Sequence, residues 1–151
     1  MAARFLIAAL VLSTITGCAH YRKELDDHPP FSEHSFRYHD VEVHWRAQDL
    51  GETLRISGTI SNLRSFFLQD LELTARLVDS RGKVFARGTA SDFPSYVSPS
   101  TTEPFELAIS TPVGTKTERI RFSYFYWLAE GAPELRGHAD VPHFGSFDSP
   151  P

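Results

Sequence analysis

The chain offers few reactive groups in arrangements that could react. Its one cysteine, Cys18, ends the run Ile15-Thr16-Gly17-Cys18, directly after the apolar stretch Phe5 to Ile15. A single thiol has no intrachain disulfide partner. Seven histidines are present, five of them between His20 and His44. Metal binding needs ligands that converge at set spacings, and no His-Glu-x-x-His run occurs. By parity His39 and His44 fall on opposite faces of one strand, and His138 and His143 lie in a proline-bearing tail. Scattered surface histidines are expected, and no metal site is assigned. Serine, histidine and aspartate all occur, but without a Gly-x-Ser-x-Gly elbow. There is no glycine-rich phosphate loop and no calcium-loop pattern. Glu72 falls on an exposed strand face and Asp79 at a turn, both solvated positions. No catalytic residue and no cofactor is assigned, and the expectation is a protein that is not an enzyme.

The elements around Cys18 explain its chemistry better. Met1 to Arg4 carries one positive charge, and the eleven residues from Phe5 to Ile15 suit the apolar core of a signal peptide. They are short for a helix crossing ~30 Å of hydrocarbon. The whole resembles a bacterial lipoprotein signal with its lipobox. In such proteins cleavage precedes the cysteine, which becomes the lipidated first residue. A plain secretory cut after Ala19 competes, since Gly17 and Ala19 form a small-x-small pattern. It would discard the only cysteine, and that cysteine sits where a lipobox needs it. The resemblance implies a diacylglyceryl group on Cys18, usually with an amide-linked acyl chain such as palmitate. Several acyl chains hold a protein firmly to a membrane, whereas one holds marginally. Ala19, rather than aspartate, follows the cysteine, which under the usual Gram-negative sorting rule points to the periplasmic face of the outer membrane.

The chain has 151 residues, and without residues 1–17 it is long enough for one domain with a real core. Its 41% apolar and 13% aromatic content suit a globular domain. The net charge is −4, with no basic stripe, which argues against a nucleic-acid partner. Residues 18–37 are polar and broken by Pro29-Pro30. They read as a lipidated N-terminus and tether; the 19 residues from Ala19 to Arg37 reach at most ~65 Å when extended.

From Tyr38 the pattern turns to period two, the spacing of a half-buried strand. Val41, Val43 and Trp45 alternate with Glu42, His44 and Arg46. Leu54, Ile56, Gly58 and Ile60 follow, then Leu71, Leu73, Ala75 and Leu77. Gly58 inside its strand predicts a bulge or a close backbone approach. Asp79 to Lys83 predicts a hairpin loop, with Gly82 free to take a positive φ, and Val84 to Ala90 returns antiparallel. Asp92 to Pro104, with three prolines, reads as a crossover between sheets. Phe105, Leu107 and Ile109 mark another strand, and Glu118 to Leu128 a long final one. Leu135 to Val141 is a candidate seventh. These six to seven strands without a helix predict an all-β, immunoglobulin-like antiparallel β-sandwich over residues 38–131. Residues 132–151 read as a Pro-rich C-terminal tail.

The stretches Ile56-Ser57-Gly58-Thr59-Ile60-Ser61-Asn62 and Ala75-Arg76-Leu77-Val78-Asp79-Ser80-Arg81-Gly82-Lys83-Val84 resemble the FxLYD domain. Leu77 and Asp79 match its signature, Ala75 stands for its phenylalanine and Val78 for its tyrosine. Ser98-Pro99 to Phe105 looks like that family's lead into an apolar-phenylalanine strand. The resemblance spans roughly residues 52–110 and implies an immunoglobulin-like sandwich of envelope and surface proteins, without catalytic residues. A neighbouring immunoglobulin-like lipoprotein family fits equally well.

The final strand, Phe122-Ser123-Tyr124-Phe125-Tyr126-Trp127-Leu128, holds the features most suggestive of binding. Parity puts Ile120, Phe122, Tyr124 and Tyr126 on one face, and Phe125 and Trp127 on the other. If the first set fills the core, Phe125 and Trp127 point outward. There the tail from Ala129 onward covers them, or they form an exposed aromatic patch of the kind that marks interaction sites. Phe66 and Phe67 at a turn are a second candidate. The expectation is a membrane-anchored envelope lipoprotein acting as a non-catalytic binding or accessory module for an envelope protein partner. The alternative is a periplasmic carrier or sensor of a small ligand or metal.

Overall fold

Alternation decides which face each strand buries, and strand after strand buries the apolar set. The computed structural model describes residues 34–129 and 141–151. Cys18, the signal peptide, the tether as far as residue 33 and most of the Leu135–Val141 segment lie outside the described residues. The strands are β1 (His34–Arg37), β2 (Val41–Asp49), β3 (Thr53–Asn62), β4 (Phe67–Val78), β5 (Val84–Ala90), β6 (Tyr96–Val97), β7 (Thr102–Ser110), β8 (Arg119–Ala129) and β9 (Val141–Ser149). All pairings are antiparallel. One sheet runs β1-β2-β3-β7, and the other runs β5-β4-β8-β9, with β6 also paired to β4. In immunoglobulin terms β2, β3 and β7 take places A, B and E, while β5, β4, β8 and β9 take C′, C, F and G. The protein is an immunoglobulin-like β-sandwich.

The six strands expected from alternation all form. Val41, Val43, Trp45, Leu54, Ile56, Ile60, Leu73, Leu77, Leu107 and Ile109 are buried in one core cluster. Gly82 takes φ +80° in the β4–β5 turn, where the Asp79 carboxylate accepts from the backbone N–H groups of Arg81 and Lys83, both at 2.9 Å. The β2–β3 register runs through Gly58 without interruption. A Cβ there would meet the His44 carbonyl and the Trp45 backbone, so Gly58 serves a close approach rather than a bulge. The segment from β5 does cross to the other sheet, but it includes the short β6, and β7 already begins at Thr102. Pro104 therefore sits within β7, an edge strand, where a missing N–H is tolerated.

Two strands come from segments read as tether and tail. His34–Arg37 pairs with β2, and Val141–Ser149 pairs with β8 from Ile120 to Leu128. Phe147 of β9 stacks on Phe36 of β1, centroids 3.9 Å apart, and on Phe122 at 5.0 Å. Trp45 tilts against Phe122 at 4.9 Å. This aromatic stack closes the side of the sandwich between the two edge strands.

Candidate functional site

Strand β8 settles its own faces. Ile120, Phe122, Tyr124, Tyr126 and Leu128 are buried, and Phe125 and Trp127 point to the outside of the β5-β4-β8-β9 sheet, half-buried. Their rings meet edge to face, centroids 5.5 Å apart and planes at 88°. In the ladder Phe125 lies opposite Glu72 of β4 and Phe144 of β9, and Trp127 opposite Gln69 and Pro142. Phe144 is 83% exposed. Phe67 opens β4 on the same face and packs edge-on against Tyr96, 6.4 Å away. Its neighbour Phe66 packs against the core instead. The pair expected at one turn is thus split, with Phe67 in the aromatic patch and Phe66 outside it.

A break in the sheet gives this patch depth. The β4–β8 register slips between Gln69 and Glu72, and Asp70 takes φ +50°, a left-handed conformation that aspartate tolerates better than most residues. On its other side β4 pairs with β6 through Leu68 and Gln69, and with β5 only from Leu73 onward. Between them the Asp70 N–H donates to the Ser95 carbonyl at 3.1 Å. The gap is a groove of about 470 Å³ lined by Asp70, Glu72, Phe93, Ser95, Phe125 and Trp127 among others. Aromatic faces beside two carboxylates make a surface suited to cations and to flat apolar groups.

The other end of the same face is charged. Arg87, Arg76 and Arg121 lie in one row across β5, β4 and β8, and the row ends at Asp148 of β9. Arg121 makes two hydrogen bonds to the Asp148 carboxylate, 2.8 and 3.2 Å, and Arg119 approaches it at 3.3 Å. The hydrogen bond from Arg121 holds the Asp148 carboxyl below the ordinary aspartate range, against the opposing effect of burial. Arg76 donates to the Ser123 hydroxyl. The exposed face of the opposite sheet is polar instead, with His44, Arg46, Ser57, Thr59, Ser61 and Glu106 in its outward positions. The aromatic concentration is a property of one face only.

A buried polar clasp holds this sheet to the other. Asp40, in the β1–β2 turn and 3% exposed, accepts from the Tyr126 hydroxyl at 2.7 Å and from the Tyr124 hydroxyl at 3.1 Å. Burial, and then the Asp40 charge and hydrogen bonds, push both tyrosine pKa values well above the ordinary 10.0. Both hydroxyls therefore stay protonated as donors. Gly145 lies opposite Tyr124, and a Cβ there would collide with the phenol ring. His143 stacks on Tyr126, centroids 5.2 Å apart and nearly parallel. Nearby, the buried Asn62 amide donates to the carbonyls of Phe66, Val97 and Ser98, and its oxygen accepts from the Arg64 N–H. That one side chain ties together the loops bordering the aromatic face.

Sequence reasoning found Phe67, Phe125 and Trp127 for the patch; it missed Phe144, Asp40 and the role of Asp70. A buried tyrosine must find a hydrogen-bond partner, so Tyr124 and Tyr126 were the available signal for Asp40. His39 lies in the β1–β2 turn rather than on a strand, and His44 is exposed on β2. Among the described residues no three of histidine, cysteine, aspartate and glutamate converge as metal ligands would. No protein-family model matches the chain, and no curated protein matches it either.

Proposed function

We propose that the protein is a lipid-anchored envelope protein, held by acyl chains on Cys18 at the periplasmic face of the outer membrane, that binds a protein partner without catalysing a reaction. Kinship with FxLYD domains, on the residues quoted above, belongs to the same proposal. The observation that carries the reading is the outward aromatic cluster of Phe67, Phe125, Trp127 and Phe144 on one face of a sandwich whose other outer face is polar. Aromatic side chains dominate interface energetics, and exposed ones gathered on one face mark interaction surfaces.

The test is photo-crosslinking in living cells, with a benzophenone side chain at Phe144 or Phe67 and a control at Thr59 on the opposite sheet. A discrete adduct is expected from the two aromatic positions, absent from the Thr59 control and lost on Trp127→Ala. No adduct from either aromatic position, or the same adducts from Thr59, overturns the reading.

A further inference from the structure

The groove beside Phe125 and Trp127 has a chemistry more specific than an aromatic patch. Its two rings stand at right angles, offering a ring face and a ring edge within one corner. Glu72 lies opposite Phe125 in the ladder, and Asp70 is lifted by the bulge at the groove's rim. Both carboxylates are exposed. Among the described residues neither has an ion-pair partner, and no lysine or arginine lines the groove. The domain's own arginine row is separated from Glu72 and Phe125 by the Thr74–Ser123 pair, and Arg121 and Arg76 there already bond Asp148 and Ser123. The groove is thus negative and aromatic, at the far end of the face from the positive row.

We propose that this groove receives the guanidinium of an arginine carried by a protein partner, stacked on Phe125 or Trp127 and bonded by Asp70 and Glu72. This rests on the reading of the aromatic face as a docking surface and names what docks there. Charge complementarity requires a cation. A planar guanidinium can stack on an aromatic ring while its edge donates to carboxylates, which a compact ammonium does less well. The volume of about 470 Å³ leaves room for neighbouring residues of the partner as well.

The test uses the full lipidated protein in detergent micelles and follows tryptophan fluorescence. Trp45 is 4% exposed, so a response lost in Trp127→Phe reports on the groove. The probe is the capped peptide Val-Arg-Val, compared with Val-citrulline-Val, which keeps the shape and loses the charge, and with tetramethylammonium. Saturable quenching by the arginine peptide is expected, absent with citrulline. Asp70→Asn and Glu72→Gln should each weaken it about tenfold, with unchanged melting temperature. Equal binding of citrulline, or wild-type affinity in both carboxylate variants, overturns the proposal. So does equal quenching by tetramethylammonium, which would make the occupant a quaternary amine such as a lipid headgroup. Light scattering that shows a dimer abolished by Glu72→Gln also overturns it, since the occupant would then be the arginine row of a second copy. In cells, a Phe144 adduct that persists unchanged in the Asp70→Asn, Glu72→Gln double variant leaves the docking face standing and removes the arginine. Loss of the adduct in that variant supports it.

Discussion

Asp40 is the acceptor on which two tyrosines of the opposite sheet converge, and each of the three groups is costly to leave alone. Tyr126→Phe removes one donor and should cost about 1–2 kcal/mol, whereas Asp40→Ala strands two buried hydroxyls and should cost about 2–4 kcal/mol. Urea unfolding at neutral pH measures both. The same clasp predicts alkaline sensitivity. Because the folded-state pKa values of Tyr124 and Tyr126 are raised, their contribution is complete below the ordinary 10.0 and is lost as pH rises beyond it. Wild-type stability should therefore fall above pH 10, and the Tyr124→Phe, Tyr126→Phe double variant should fall less steeply. Gly145 belongs to the same arrangement, since any side chain there would occupy the place of the Tyr124 ring.

Strand β9 is held to its neighbour by side chains as well as by the backbone ladder. It is an edge, and Asp148 ties its far end to Arg121 and Arg119 of β8. The Asp148 pKa is lowered, so its contribution is present above the ordinary aspartate value of 3.8 and lost as pH falls through the lower folded value. Asp148→Asn should cost no more than about 1 kcal/mol, because the pair is partly exposed. The difference from wild type in urea midpoint should vanish under acid. The strands with clean alternation were legible because one face of each meets the core. β9 was not, because the inward set from His143 onward is His143, Gly145, Phe147 and Ser149, with a single large apolar residue. Gly145 leaves space for Tyr124, and His143 serves as a flat partner for Tyr126; both jobs erase the apolar period that marks a strand. β1 was hidden for a related reason, being four residues long with Phe36 as its one apolar residue packed against the core.

At the scale of the molecule, the sandwich presents one polar face and one that is aromatic at one end and charged at the other. Parity placed Phe125 and Trp127 on one face of β8 and Phe122, Tyr124 and Tyr126 on the other, and the structure decides that the second set fills the core. The groove did not follow from parity, because it arises from a register slip at Asp70 and from the gap between β5 and β6, which no local pattern encodes. Anchoring is a prediction at this scale too. Cys18→Ser should move the protein from the membrane fraction to the soluble periplasmic fraction and abolish palmitate labelling. Its thermal unfolding should stay the same, because among the described residues the buried core cluster runs from Val41 to Leu128. Persistent palmitate labelling in that variant would place the lipid elsewhere.

The stack of Phe36 on Phe147 joins the first described strand to the last. A chain threaded outward from its N-terminus delivers Trp45 and Phe122 long before Phe147 arrives to shield them. During that interval the unclosed side of the sandwich is apolar and open, which is when a chaperone that holds unfolded chains would have something to grip. Such sequence-distant closure also slows folding, because the loop entropy must be overcome before the contact rewards it. On the proposed export route, the sandwich would close only once β9 has cleared the translocation channel.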